Sequence, residues 1–184
     1  MRQFIQLAAF AACCASAAAA QTPPPTGTTG REDPSAMTAR AALKDAKGAS
    51  IGDATLRETP HGVLLQVELR SAPAGVRAFH IHENGTCTAP TFETAGGHWA
   101  PEGRAHGFLE DRGPHAGDLP NIHVAQDGKL SFELLVKDAT LSAGPRSLFD
   151  ANGSALVMHA SADDYESQPS GDAGDRVACG VVMK

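Results

Sequence analysis

The chain has 184 residues, with 15 Lys and Arg against 21 Asp and Glu and a formal net charge of −6 at pH 7. Because nucleic-acid binding relies on a surplus of positive charge, this acidic balance excludes a protein that binds nucleic acid through its overall charge. The length suits a single domain that can bury a hydrophobic core without help from a metal or a partner.

Residues 1–20 predict a secretory signal peptide. They combine Arg2, an apolar and alanine-rich stretch, and small residues up to Ala20 that suit cleavage after this position. The stretch is too short for a membrane span, and no later segment reaches the ~18 consecutive apolar residues that a spanning helix needs. Cys13 could accept a lipid, but Phe10 stands where lipoprotein signals prefer an aliphatic residue, so lipid anchoring is not expected. We therefore expect an exported protein.

Residues 21–37 predict a disordered linker. The stretch QTPPPTGTTGREDPSAM is rich in Pro, Thr and Gly and has no apolar period, so it cannot bury enough surface to fold on its own. We therefore expect the folded domain to occupy residues 38–184, beginning near Thr38.

The folded domain is predicted to be all-β. Apolar side chains recur at every second residue between Val63 and Leu69, and again between Leu130 and Leu134, which is the period of a strand with one buried face. Residues suited to tight turns separate about eight candidate strands, near 39–46, 51–58, 62–70, 76–82, 121–125, 129–136, 154–159 and 176–182. This pattern predicts an antiparallel sandwich or barrel.

Two long intervals interrupt the alternation, at residues 84–120 and 160–175. The first is rich in Gly and the second in Asp. Loops longer than ~15 residues inside a compact domain are uncommon and are usually functional or disordered. We therefore expect these two loops to carry the functional residues.

Histidines concentrate in and beside these loops. Six of the eight lie there: His80, His82, His98, His106, His115 and His159. Alternate residues of a strand share a face, so His80 and His82 can bind one atom together, although such a pair alone fits two solvent-facing polar residues equally well. In the first loop three histidines and Asp118 supply the four ligands of a zinc site from a segment expected to be flexible. Imidazole suits copper and zinc alike.

The four cysteines form two sets. Cys13 and Cys14 belong to the predicted signal peptide, which leaves Cys87 and Cys179 in the mature chain. In an oxidising compartment such a pair predicts one structural disulfide that closes a long loop. Two free buried thiols are the alternative.

Five motifs stand in order along the domain: FHIHENGTC, AGGHWAPEGRAHG, GPHAGDLPN, ALVMHASADDY and GDRVACGVV. With these motifs at their spacings, the region from about residue 38 to residue 184 resembles the bacterial exported branch of the copper-zinc superoxide dismutases. The resemblance implies an eight-stranded Greek-key β-barrel or sandwich with two long functional loops. It also implies superoxide as the substrate, a periplasmic location, and either a monomer or a homodimer.

The resemblance implies two metals that share one ligand. The implied copper ligands are His80, His82, His98 and His159. The implied zinc ligands are His98, His106, His115 and Asp118. A further acid, Asp163, is implied to hydrogen-bond one ligand of each metal, and the disulfide is implied to join Cys87 to Cys179.

The implied reaction needs a redox metal and a proton carrier. Copper can accept an electron from one superoxide and give one to the next, whereas zinc cannot change its oxidation state. His98, shared between the metals, is the implied proton carrier. Arg176 is implied to draw in and dock the anion.

The chain departs from the usual family pattern in two places. Trp99 and Ala100 stand where the family usually has Phe and Asn, which changes packing and removes one side chain able to form a hydrogen bond within the loop. Many members also carry a lysine in the second loop, whereas here Arg176 is its only cation among several acids. Electrostatic steering by this loop is therefore in doubt, and Lys or Arg from elsewhere, such as Arg104 or Arg112, would have to replace it.

Two other functions remain open from the sequence. A non-catalytic periplasmic store or carrier for copper or zinc could keep the same barrel, but it would have little need of Arg176 or of a shared histidine. A plain all-β binding domain is a third hypothesis, and the ordered histidines argue against it. His61 and His123 lie outside every motif and are expected to face solvent.

Overall fold

The computed structural model describes residues 36–137 and 139–184. The predicted signal peptide and residues 21–35 of the predicted linker lie outside the described residues. The first strand begins at Thr38, where the sequence predicts the folded domain to start. Within the described ranges no helix is long and apolar enough to cross a bilayer.

Nine strands and one short 3-10 helix, Glu93–Ala95, make up the described secondary structure. The strands are β1 (Thr38–Asp45), β2 (Ser50–Thr59), β3 (Gly62–Leu69), β4 (Gly75–Arg77), β5 (Phe79–His82), β6 (Ile122–Val124), β7 (Leu130–Lys137), β8 (Ala155–His159) and β9 (Arg176–Val181). The predicted all-β class is confirmed.

Seven strands form one curled antiparallel sheet in the order β5-β8-β9-β1-β2-β3-β7, and β4 pairs with β6 in a second, two-stranded sheet. Within the larger sheet β1, β2 and β3 follow one another through short turns, and β9 returns from the end of the chain to lie beside β1. Three consecutive strands with a later strand beside the first are the arrangement of a Greek key.

The interval 76–82, predicted as one strand, is two strands that belong to different sheets. The chain changes partners at Ala78, whose N–H donates to the carbonyl of Ser161 and whose carbonyl accepts the N–H of His159. Before this point β4 pairs with β6, and after it β5 pairs with β8. A change of partner leaves the alternation of side chains intact, which is why the sequence pattern does not reveal it.

The hydrophobic core lies on the inner face of the larger sheet. The alternating side chains from Val63 to Leu69 are almost fully buried, as the sequence predicts, and fully buried side chains of this size each contribute about 1.5–3 kcal/mol. Phe79 at the start of β5 is fully buried and meets Phe132 of β7 edge-on, with ring centroids 5.9 Å apart. The core therefore packs firmly against the strand that carries His80 and His82.

The loop between β5 and β6 is hydrogen-bonded along the free edge of β5. Ile81 donates its N–H to the carbonyl of Gly117 (2.9 Å) and accepts the N–H of Trp99 (2.8 Å). Gly117 lies so close to β5 that an added Cβ would stand 2.3 Å from the carbonyl oxygen of Ile81. This pairing covers an edge of β5 that would otherwise be unpaired.

Candidate metal centre

The side chains expected to bind metal form two groups that share His98. We call the first the four-histidine group, and its members are His80, His82, His98 and His159. We call the second the aspartate group, and its members are His98, His106, His115 and Asp118. Within each group the possible ligand atoms lie within 4.8 Å of one another. Both sets coincide with those that the sequence resemblance implies.

Two neighbouring strands and one loop build the four-histidine group. His80 and His82 project from the same face of β5, and His159 ends β8, which is the hydrogen-bonded neighbour of β5. His98 comes from the long loop, where it pairs with His82 as an isolated β-bridge. The same backbone pairing that covers the edge of β5 therefore brings the loop histidine to the strand histidines.

Hydrogen bonds to backbone carbonyls fix two of these rings. His82 donates from Nδ1 to the carbonyl of Gly96 (2.9 Å), and His159 donates from Nδ1 to the carbonyl of Gly174 (3.2 Å). Since a carbonyl can only accept, each Nδ1 carries the proton and each Nε2 keeps its lone pair. The two Nε2 atoms lie 3.4 Å apart and face one another, as two ligands of one ion would.

Two nitrogens of this group have no hydrogen-bond partner among the described residues: Nδ1 of His80 and Nε2 of His98. Both atoms are buried, and an unsatisfied buried polar atom costs about 1–3 kcal/mol. The rings of His80 and His98 lie against one another, with centroids 4.0 Å apart. A metal ion bound by both nitrogens, together with the two Nε2 atoms, would remove this cost, so the residues present fit a metal.

The aspartate group surrounds one carboxylate oxygen. Oδ1 of Asp118 lies 2.7 Å from Nδ1 of His98, 3.1 Å from Nδ1 of His106 and 3.2 Å from Nδ1 of His115. Four ligands at about 2.0 Å from a tetrahedral zinc ion stand about 3.3 Å from one another, so these separations match such a site. The other oxygen, Oδ2, accepts the N–H groups of Gly107 and His115 at 2.9 Å, which orients the carboxylate.

Asp163 connects the two groups from behind. Its Oδ2 lies 2.8 Å from Nε2 of His80, and its Oδ1 lies 3.0 Å from Nε2 of His106. Each ring therefore donates from Nε2 to Asp163 and turns Nδ1 towards its own group. Outer contacts of this kind fix the tautomer and the orientation of metal-binding histidines. The position matches the role that the resemblance implies for Asp163.

Sequence reasoning missed two residues that hold this arrangement. Asn121 accepts the N–H of Asp163 and donates to its carbonyl, both at 2.8 Å. Gln168 accepts the N–H of His106 (3.0 Å) and donates to its carbonyl (2.8 Å). The side-chain amides of Asn121 and Gln168 thus join the two long loops. Asn121 lies inside the motif GDLPN, which gave some signal, whereas nothing in the sequence distinguishes Gln168.

Burial keeps three rings of the four-histidine group neutral, those of His82, His98 and His159. Desolvation lowers the pKa of His98 from 6.5 to about 4 and the pKa of His159 from 6.5 to about 3, and it lowers the pKa of His82 well below 6.5. Charge on neighbouring rings acts in the same direction, with His80 lowering the pKa values of His98 and His159. A neutral imidazole offers the lone pair that a metal binds.

The two buried carboxylates stay ionised. Burial alone raises the pKa of Asp118, but its contacts with His115, His98 and the N–H of Gly107 outweigh burial and hold this pKa well below its usual range. Burial also raises the pKa of Asp163, and its histidine neighbours and a backbone N–H reverse that effect. Asp118 can therefore supply the negative charge that a divalent ion needs.

Arg176 lies beside the four-histidine group in an open cleft. The cleft has a volume of about 850 Å³, and His82, His98, His159 and Arg176 are among its lining residues. Arg176 donates to the carbonyls of Phe92 (2.8 Å) and Gly96 (2.7 Å), which fixes the guanidinium. An arginine side chain stays protonated in proteins, so the cleft presents a fixed positive charge next to the histidines.

A disulfide joins Cys87 to Cys179, with Cα atoms 5.7 Å apart, which confirms the predicted pair. Cys87 lies in the long loop and Cys179 on β9. The disulfide therefore attaches the segment that holds His98 to the strand that begins with Arg176.

The structure also shows where the remaining residues named in the sequence analysis lie. His61 and His123 are exposed and belong to neither group. Trp99 is buried and packs in the core. The cations suggested as replacements for the missing loop lysine do not line the cleft: Arg104 and Arg112 are exposed and contact Glu102 and Glu110.

Comparisons with known proteins identify a family and several similar sequences. Residues 50–182 match the family model described as copper/zinc superoxide dismutase. Superoxide dismutase [Cu-Zn] 2 of Aquifex aeolicus is 46% identical over 148 residues, which cover 79% of this chain and 86% of the relative. Superoxide dismutase [Cu-Zn] of Caulobacter vibrioides is 43% identical over 148 residues, which cover 79% of this chain and 85% of the relative.

A solved structure shows the same fold. The crystal structure of a SOD-like protein from Bacillus subtilis matches with a TM-score of 0.75 and 35% identity, covering 78% of this chain and 97% of that chain. Three findings support one conclusion. The structure has two adjoining groups of possible metal ligands, the family model spans most of the folded domain, and the relatives are 43–46% identical. The chain belongs to the copper/zinc superoxide dismutase family, which uses copper and zinc.

Proposed function

We propose that this protein is an exported enzyme that converts superoxide to oxygen and hydrogen peroxide. The observation that carries the proposal is the sharing of His98 between two metal-binding groups, one of which opens into a cleft beside Arg176. Dismutation of superoxide requires a cation that attracts the anion and a redox metal that exchanges electrons with it, both in one accessible cleft.

The four-histidine group is the proposed copper site. Its ligand atoms are all nitrogens: Nδ1 of His80 and Nε2 of His82, His98 and His159. Imidazole nitrogen is a good ligand for copper. Copper held by these nitrogens would supply the one-electron redox chemistry by which one superoxide is oxidised and the next is reduced.

The aspartate group is the proposed zinc site. Three Nδ1 atoms and one carboxylate oxygen form a closed set of four, which is the usual coordination of a structural zinc. The zinc would fix the long loop, and with it His98, against β5. Asp163 supports both sites by holding the rings of His80 and His106.

Two residues have proposed roles in the reaction itself. Arg176 binds the anionic substrate, because its guanidinium is fixed and charged at the side of the cleft. His98 carries a proton, because its Nε2 faces the four-histidine group and has no other partner among the described residues. Once a bound copper is reduced, Nε2 of His98 would release the metal and take up a proton, which it would pass to the second superoxide. Solvent would supply the second proton of hydrogen peroxide.

The periplasm is the proposed location. The disulfide between Cys87 and Cys179 suits an oxidising compartment, and the similar proteins of Aquifex aeolicus and Caulobacter vibrioides are bacterial. Residues 1–20 have the pattern of a signal peptide. The proposal leaves open whether the protein is a monomer or a homodimer.

A store or carrier of copper and zinc is the second candidate function. The two buried groups would bind metal in either case. Arg176 favours the enzyme, because a carrier gains nothing from a fixed cation that repels a metal ion beside the copper site.

A direct assay separates the two functions. The full chain is loaded with one copper and one zinc, excess metal is removed with a chelator, and the loss of superoxide is followed by its absorbance. We expect rapid loss that is proportional to protein-bound copper. If both metals are bound and superoxide disappears no faster than in chelated buffer, the carrier hypothesis is correct.

A further inference from the structure

The cleft in front of the four-histidine group has an acidic rim. Besides its histidines, the charged residues that line it are Asp45, Lys47, Glu93, Asp175 and Arg176. Arg176 lies beside the histidines and is tied to two carbonyls. A superoxide anion that approaches from solvent therefore meets three carboxylates and one further cation, Lys47.

The β1–β2 turn places Lys47 at this rim. β1 runs antiparallel to β9, with Asp45 opposite Ala178. Residues that follow Asp45 therefore continue towards the start of β9, which is Arg176. Because β9 begins at the cleft, the turn after β1 stands over the same opening. The sequence gives no sign of this neighbourhood, since Lys47 and Arg176 are far apart along the chain.

Hydrogen bonds hold the turn in one shape. Oδ1 of Asp45 accepts the N–H groups of Lys47 (2.9 Å) and Ala49 (2.8 Å), and the N–H of Asp45 donates to the carbonyl of Ala49 (2.9 Å). Two backbone donors thus offset part of the negative charge of Asp45. The side chain of Lys47 is exposed, and no ion pair of it occurs in the described part of the chain.

We propose that Lys47 guides superoxide, and small monovalent anions in general, into the cleft and towards Arg176. Lys47 acts as a positioning residue, because it attracts the anion and does not touch the reacting atoms. This inference rests on the proposed function. It adds a cation at the cleft in place of the lysine that many family members carry in the second loop. Arg104 and Arg112 do not serve this role, because neither lines the cleft.

The effect of one exposed lysine is electrostatic and depends on salt. At 0.01 M ionic strength charges interact over about 30 Å, whereas at 0.1 M the screening length is about 10 Å. Lys47 should therefore act on the rate of encounter at low salt and lose its effect at high salt. For an enzyme limited by encounter, that rate is kcat/KM.

The test compares three variants of the full chain, each loaded with copper and zinc. Lys47→Gln removes the charge and Lys47→Glu reverses it. Lys129→Gln is the matched control. Lys129 is also exposed and lies outside the cleft, and its substitution changes the net charge by the same amount. The readouts are kcat/KM for superoxide at several ionic strengths and the Kd of azide, a monovalent anion that binds copper, measured by absorption.

At low ionic strength we expect Lys47→Gln to lower kcat/KM about two- to five-fold and Lys47→Glu to lower it further. The Kd of azide should rise in the same order, both effects should shrink in 0.5 M salt, and Lys129→Gln should match the unchanged protein. If the unchanged protein dismutates superoxide but Lys47→Gln has the same rate, salt dependence and azide affinity, Lys47 has no guiding role. If the unchanged, metal-loaded protein shows no dismutation, the proposed function itself fails.

Discussion

The two ring nitrogens of His98 have different surroundings. Nδ1 lies 2.7 Å from Asp118, whereas Nε2 is buried in the four-histidine group with no partner among the described residues. One side chain therefore belongs to both groups. A substitution elsewhere in the four-histidine group should affect one metal and leave the other in place.

His159→Ala tests this separation. The change removes one of four proposed copper ligands and leaves all four side chains of the aspartate group in place. We expect dismutation to fall to the level of chelated buffer while one zinc per chain remains, as measured by elemental analysis. His123→Ala is the matched control, because His123 is exposed and should keep both metals and full activity. Loss of zinc along with activity in His159→Ala would show that the groups are not separable.

The stability of the metal-free protein should fall as the pH decreases. His98 and His159 titrate near pH 6.5 when unfolded and near pH 4 and pH 3 when folded, since burial opposes their protonation. Above pH 6.5 these two histidines are neutral in both the folded and the unfolded protein, so they do not change the free energy of unfolding. Below pH 6.5 only the unfolded state takes up these protons, so stability is lost progressively down to about pH 4. Urea unfolding of the metal-free protein at several pH values between 7.5 and 4 measures the loss, and a constant free energy of unfolding would contradict it.

Much of the site was predictable at this scale, but not all of it. His80, His82 and His159 are recognisable because strand spacing and ordered motifs identify them. The roles of Asn121 and Gln168 were not predictable, because a side-chain amide that binds the backbone of a distant loop leaves no pattern in a single sequence. The position of Lys47 at the cleft was not predictable either, because only the pairing of β1 with β9 brings it there.

At the scale of elements, the two long loops are packed on β5 and on one another. The alternating strands from Val63 to Leu69 and from Leu130 to Leu134 are readable from the sequence because one face is buried. The loops have no such period, so their pairing with β5 was not predictable. Close approach is achieved by glycine, as at Gly117 against Ile81 and at Gly171 against Asp163.

Gly171→Ala should disturb both metal sites through Asp163 and the His106 ring that it holds. Gly171 has a φ of +68°, and an added Cβ would stand 1.8 Å from Oδ1 of Asp163 and 2.7 Å from Nε2 of His106, so the carboxylate and the ring that it holds must both move. We expect about a 10- to 100-fold loss of zinc affinity, measured by competition with a chelator. Gly48→Ala is the control, because Gly48 has a φ of +83° and open space around it. Both variants carry backbone strain, so equal zinc affinities would show that Asp163 has no such role.

At the scale of the whole molecule, the disulfide fixes the loop that carries His98 to the sheet. Cys87 and Cys179 are 92 residues apart, and closing a loop of this length stabilises the folded state by about 4 kcal/mol through the entropy of the unfolded chain. The bond also attaches the long loop to β9, which begins with Arg176. The disulfide therefore supports both stability and the geometry of the cleft.

Replacing both cysteines with serine should test this contribution. We expect the free energy of unfolding of the Cys87→Ser, Cys179→Ser variant to fall by about 4 kcal/mol, as measured by urea unfolding of the metal-free protein. The control is the unchanged protein with its disulfide reduced, which should lose a similar amount. A loss below about 1 kcal/mol in both would mean that the disulfide contributes little to folding.

The central claim is that one copper and one zinc occupy two adjoining sites that share His98. Anomalous X-ray scattering from crystals of the metal-loaded protein, recorded on both sides of the copper and zinc absorption edges, measures this directly. The account predicts a copper signal among His80, His82, His98 and His159 and a zinc signal on the other side of His98, next to Asp118. A single occupied site, or two metals that do not flank the His98 ring, would contradict it.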